Sequence, residues 1–129
     1  MKVLLDTHIL LWLVSEPSKL DAAALEVLSN PTTNVCVTAA SAWEIAIKTR
    51  LGRLEGDTLL SAWPDVLAGM SSVELSIESS DAILAARLPW DHKDPFDRVI
   101  VAQAVRRNLT IVTRDARILD AALTPTLEA

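Results

Sequence analysis

Hydrophobic positions follow two rhythms along this chain. KVLLD (2–6), NVCVT (34–38) and LTIVT (109–113) are short, nearly unbroken apolar runs, the pattern of strands covered on both faces. Between them apolar residues recur at helical spacing. HILLWLV (8–14) predicts a helix, and SKLDAAALEVLSN (18–30) predicts a second, with Ser18 and Asp21 in capping-box spacing at its start. SAWEIAIKTRLG (41–52) opens with Ser41 and Glu44 and ends at Gly52. A helix around 57–69 is bent or split by Pro64, SVELSI (72–77) alternates like an exposed-edge strand, and helices follow at 79–88, at 95–107 and, more briefly, from Asp115. TPTLEA, at the end, is a weak candidate for a last strand. Strands alternating with helices predict an α/β fold: a central, mainly parallel sheet of four to five strands with helices on its faces.

Composition narrows this picture. A chain of 129 residues, 50% hydrophobic and 22% charged, without repeats, low-complexity tracts or a linker, suits one domain over 1–129 with a real core. The apolar run VLLDTHILLWLV is broken by Asp6 and His8, so it is neither a signal-peptide core nor a membrane span, and a soluble cytoplasmic protein is expected. Cys36, the single cysteine, excludes an internal disulfide and is expected to be a small core residue. Three glycines form neither a dinucleotide-binding turn nor a phosphate-binding loop. Trp12, Trp43, Trp63 and Trp90 are expected in or near the core, or in part at an interface, and no aromatic platform for bases is evident. The net charge of −5 counts, at first, against a nucleic-acid partner.

The acids change the picture most. In a parallel α/β sheet the helix N-termini lie at the edge where the strands end. Asp6 ends the first strand, Glu44 falls in the first turn of the helix after the second, Asp97 opens the helix before LTIVT, and Asp115 lies just past that strand. All four therefore map to one edge. Each has a plain structural role available: Asp6 and Asp115 as caps, Glu44 as the return half of a capping box with Ser41, Asp97 facing a helix dipole behind the cap Asp94. Caps, however, need not face each other. Carboxylates about 4 Å apart repel by roughly 4 kcal/mol at an effective dielectric near 20, so a cluster calls for raised pKa values or for cations. Oxygen ligands without clustered His or Cys favour Mg²⁺ or Mn²⁺ over zinc. Thr7 and Thr113 are placed to support such ligands, or are ordinary strand-end hydroxyls.

LLDTHILLWL, SAWEIAIK, DPFDRVIVAQA and TIVTRDARI, in this order and at these separations, resemble the PIN domain, and in particular the VapC-like toxin nucleases of toxin–antitoxin pairs. The resemblance implies a PIN-like three-layer α/β/α sandwich and a metal-dependent endoribonuclease whose metal ligands are Asp6, Glu44, Asp97 and Asp115, with Asp94 as a cap or outer support. It also implies hydrolysis of RNA to a 5′-phosphate and a 3′-hydroxyl, a homodimer, and a cognate antitoxin that covers the acidic site. Setting aside the four proposed ligands leaves 13 acids against 12 Lys and Arg, so the charge objection weakens. Lys48, Arg50, Arg53, Arg98, Arg114 and Arg117 lie near the proposed edge and are candidates for phosphate contacts, with Lys48 also spaced to pair with Glu44. His8 is expected to pack locally at a helix start, and His92 to sit solvated in a loop.

Two other functions compete. An aspartyl-phosphate phosphatase or receiver also places an Asp after its first strand, but the former wants a second acid where this chain has His8, and the latter an acid pair where it has Leu4 and Leu5. A non-catalytic α/β binding module, its acids serving only as caps, is the other.

Overall fold

The computed structural model describes residues 1–129. Its elements run β1 (Lys2–Leu5), α1 (Thr7–Ser15), a 3₁₀ turn (Pro17–Lys19), α2 (Ala22–Ser29), β2 (Asn34–Thr38), α3 (Ala39–Arg50), α4 (Asp57–Ser61), α5 (Trp63–Gly69), β3 (Val73–Leu75), α6 (Ser79–Arg87), α7 (Pro95–Arg107), β4 (Thr110–Thr113), α8 (Ala116–Ala121) and β5 (Thr126–Glu128). The strands form one sheet in the order β3-β2-β1-β4-β5, and every neighbouring pair is parallel.

The unbroken apolar runs are explained by what covers them. Val3 and Leu5 of β1, Val35 and Val37 of β2 and Val112 of β4 bury against Ile9, Leu10, Ala24, Ile45 and Leu67 from α1, α2, α3 and α5. The intervening residues Leu4, Cys36 and Ile111 point the other way, onto Ala85, Ile100, Val101, Ala104 and Ile118 of α6, α7 and α8. Alternation along each strand thus feeds two cores, one on each face, and yields the three layers. Each buried Val, Leu or Ile side chain contributes roughly 1.5–3 kcal/mol of transfer free energy. Cys36 is a buried core residue, and burial pushes its thiol pKa up. No helix is long and apolar enough to cross a membrane.

Helix starts differ from expectation where two capping residues compete. Pro17 opens the 3₁₀ turn that contains Ser18, so α2 starts later, with Asp21 at its N-cap position. β2 runs directly into α3, whose cap is Thr38: its hydroxyl accepts from the Ala40 N–H. Ser41 is therefore already inside the helix and makes no capping box with Glu44, which lies in the second turn rather than the first. Pro64 splits the 57–69 region, since it lacks an N–H and sits without cost in the first turn of α5. TPTLEA does supply the last strand, pairing with β4 from Thr126 to Glu128.

Candidate functional site

β1 lies at the centre of the sheet, and the chain leaves it on one side towards β2 while β4 pairs on the other. A crevice at the strand ends is expected at such a point. There a cavity of about 360 Å³ is lined by residues that include Asp6, Glu44, Asp94, Asp97 and Asp115, with Thr7, His8, Lys48, Arg53 and Arg117. Acids from four separate segments of the chain thus face one space.

Asp6 follows β1 and caps α1, its Oδ1 accepting from the Thr7 N–H at 2.8 Å. Its Oδ2 accepts from the Thr113 hydroxyl at 2.7 Å, while Thr113 Oγ1 itself accepts from the Asp115 N–H at 3.0 Å. Thr113 therefore links two of the acids. Thr7 bonds the Ser41 hydroxyl at 2.9 Å instead, joining α1 to α3. Asp94 Oδ1 accepts from the N–H groups of Phe96 and Asp97, at 2.9 and 3.0 Å, and so shapes the start of α7. Asp115 caps α8 through the Arg117 N–H at 2.8 Å.

Glu44 and Asp97 cap nothing. Glu44 is buried on α3, where Oε2 pairs with Lys48 one turn on, and Oε1 is buried with no hydrogen-bond partner. Burial works against the Lys48 charge, yet Glu44, Asp94 and Asp97 together raise its pKa. Asp97 Oδ2 lies 2.7 Å from His92 Nε2. Burial, chiefly, and then Asp6, Asp94 and Asp115 push the Asp97 carboxyl up to about 7, against the opposing effect of the His92 bond. Burial likewise raises Asp6, opposed by His8, Thr113 and Thr7 and aided by Glu44. Lys48 sits on Glu44 and His92 on Asp97, and no three His, Cys, Asp or Glu side chains are gathered tightly around one point.

Other expectations are corrected here. His92 is not solvated: its side chain is 9% exposed and packs against the Trp90 ring at 4.8 Å. Arg98 is no phosphate ligand, because its guanidinium donates to the carbonyls of Ala85, Leu88, Trp90 and His92. Arg114 is also occupied, donating to the carbonyls of Ala129 and Lys19 and stacking over Trp12. Lys48, Arg53 and Arg117 line the cavity. His8 packs locally as expected, against Trp12 at 5.1 Å, and its Nδ1 lies 3.5 Å from Asp6 Oδ2. Trp43 departs from a core position, standing 52% exposed against the edge of Phe96. The sequence signal that could have found His92 is its rarity: the chain has two histidines, and each touches one of the cavity's acids.

The PIN domain family model matches residues 3–123. Ribonuclease VapC22 of Mycobacterium tuberculosis is 32% identical over 117 residues, spanning 90% of this chain and 88% of that protein. Among solved structures, VapBC2 from Rickettsia felis bound to a promoter DNA fragment superposes with a TM-score of 0.73 at 13% identity, covering 99% of this chain and 98% of that one. DNA-bound VapBC from Salmonella typhimurium gives 0.70 at 16% identity, with 99% and 98% covered. At those identities the structural likeness is one of fold, and it agrees with the sequence match along nearly the whole chain: this protein belongs to the PIN domain family.

Proposed function

We propose that this chain is a metal-dependent endoribonuclease toxin, with Asp6, Glu44, Asp97 and Asp115 as its metal-holding acids. The observation that carries this reading is the pair of acids with no capping role. Asp6, Asp94 and Asp115 would serve a non-catalytic module equally well as caps, but Glu44 and Asp97 are buried beside other acids without capping anything. Glu44 Oε1 has no donor, and Asp97 is pushed up to about 7 by burial and neighbouring charge. Both are what a hard divalent cation would relieve, and an all-oxygen donor set fits Mg²⁺ or Mn²⁺.

Asp6 and Asp97 serve as the primary ligands, with Glu44 and Asp115 holding a second ion or acting through water. A divalent cation bound there supplies Lewis acidity, lowering the cost of making a nucleophile from water near neutral pH and of charge on the phosphoryl oxygens. The chain's own residues do the rest. Thr113 fixes the Asp6 carboxylate and, through the Asp115 N–H, the neighbouring acid. Lys48, Arg53 and Arg117 line the cavity, Lys48 beside Glu44 and Arg117 beside Asp115, and in this reading they receive RNA phosphates and give an acidic protein its local attraction for a polyanion. Hydrolysis leaves a 5′-phosphate and a 3′-hydroxyl.

The same reading includes a cognate antitoxin, self-association as a homodimer and a cytoplasmic location. An antitoxin that inserts an arginine among these carboxylates would compete with both cation and substrate. The test is cleavage of a mixed single-stranded and structured RNA pool by wild type and Asp97→Asn, with Mg²⁺, with Mn²⁺ and with EDTA. Cutting by the wild type alone, and only with metal, is expected; a wild type that neither cuts nor binds Mn²⁺ in calorimetry would leave Asp6 and Asp115 as caps and Glu44 and Asp97 as the partners of Lys48 and His92.

A further inference from the structure

We propose that His92 is a positioning residue that fixes the Asp97 carboxylate for its cation, and that Arg98 holds His92 in place to do so. This rests on the metal-site reading of Asp97 given above.

Three residues form a closed ring. Asp97 and Arg98 are joined by a peptide bond; Arg98 Nη1 donates to the His92 carbonyl at 2.8 Å; and His92 Nε2 returns to Asp97 Oδ2 at 2.7 Å. The loop between α6 and α7 could not hold His92 by itself, since it has no regular structure over residues 88–94. Arg98 supplies the missing order. Its Nε bonds the Ala85 carbonyl at 2.7 Å, Nη1 also bonds Trp90 at 2.7 Å, and Nη2 bonds Leu88 at 3.0 Å, so one guanidinium spans the end of α6 and the loop. A lysine could not do this, having neither the planar fork nor five donors. Trp90 then packs on the imidazole, which is 9% exposed.

The consequence falls on Asp97. An ionised carboxylate can only accept, so with Asp97 charged His92 Nε2 is the donor to Oδ2; the carboxylate is then held in one orientation, and Oδ1, without a protein donor, is the oxygen left for a cation. Partners that orient metal-bound carboxylates in this way are typically worth 10–100-fold in metal affinity or activity. Arg98 and His92 thus serve the site without touching RNA.

Mn²⁺ calorimetry on wild type, His92→Ala and His92→Gln tests this, with RNA cleavage kinetics alongside and a thermal melt to confirm folding. His92→Ala is expected to weaken Mn²⁺ binding about 10–100-fold and to lower kcat with KM for RNA little changed, whereas His92→Gln, whose amide can still donate, recovers most of both. Arg98→Lys should reproduce the His92→Ala loss. Unchanged Mn²⁺ affinity in folded His92→Ala overturns the proposal and leaves the metal site standing; tighter affinity overturns it by making His92 a competitor of the cation. If the wild type itself binds no Mn²⁺, the metal-site reading fails and this one with it. Should His92→Ala not fold, His92→Gln decides: affinity near wild type supports positioning by a donated hydrogen bond, and affinity lost tenfold or more overturns it.

Discussion

Asp81 and Asp97 sit at opposite ends of the packing between α6 and α7, and both are buried, with side chains 0% and 13% exposed. Their surroundings differ completely. Asp81 meets Arg106 and Arg107 near the end of α7, the Gln103 amide, and the Glu78 N–H in a capping box. Burial opposes its charge, but these partners win and hold its carboxyl well below the usual range. At the start of α7, Asp97 has one imidazole and three acidic neighbours, and its carboxyl is pushed up to about 7. One helix pair therefore carries a satisfied acid at one end and an unsatisfied one at the other. An acid supplied with protein cations is a structural tie; an acid left short of them is where an outside cation is wanted.

Substitution separates the two most sharply. Asp97→Asn is expected to abolish metal-dependent RNA cleavage, by on the order of a thousandfold or more, and to leave a folded protein at least as stable as wild type, as cleavage assays and thermal melts on the same preparation will tell. Asp81→Ala should do the reverse. It leaves Arg106 without a carboxylate and Arg107 with Glu78 alone, and is expected to cost about 3 kcal/mol in urea unfolding, with cleavage retained wherever the variant is folded.

How much of this contrast was readable beforehand depends on what encodes each part. The sheet was legible, because strands such as β1, β2 and β4 bury both faces and so leave unbroken apolar runs. Helix starts were less so: Thr38 and Ser41, or Ser18 and Asp21, are equally good caps on paper, and the direction of the incoming strand or a preceding proline decides between them. Acids at the strand ends were legible by type and spacing. His92 and Arg98 were not, because what organises them is a set of backbone carbonyls, and side-chain patterning carries no record of where carbonyls point. The role of Asp81 is illegible for a related reason: apart from the Glu78 N–H, its partners lie 22 to 26 residues away, at the far end of the next helix.

Smaller effects sharpen the comparison further. Saturating Mg²⁺ or Mn²⁺, at a hundred times the dissociation constant, should stabilise the wild type by about 2.7 kcal/mol and Asp97→Asn by much less, read as a shift in melting temperature. In metal-free buffer the two acids should mark opposite limbs of the stability curve. A carboxyl raised in the folded state binds protons more tightly there than when unfolded, so stability falls as pH rises from about 4 to about 7, by on the order of 2 kcal/mol through Asp97. A carboxyl lowered in the folded state acts the other way, so the contribution of Asp81 is complete above about pH 4 and lost on further acidification. A melt series whose upper limb keeps its slope in Asp97→Asn would reassign it to another group. The least effect, about 1 kcal/mol, is expected from Arg106→Gln, because Arg107 continues to hold Asp81.

The hydrogen bond from the Thr113 hydroxyl to Asp6 joins residues 107 positions apart. β1, which carries Asp6 at its end, has β4 as one of its two neighbours, and β4 is made only after β2, β3 and the helices between them. Long-range pairing of this kind forms slowly, since a long loop must close before any contact rewards it. During synthesis, Asp6 leaves the ribosome long before Thr113, Asp97 and Asp115 exist to meet it. A chain that has not yet reached Asp115 cannot bring these carboxylates together, so under the function proposed above any activity towards RNA waits until β4 has been made and has paired with β1.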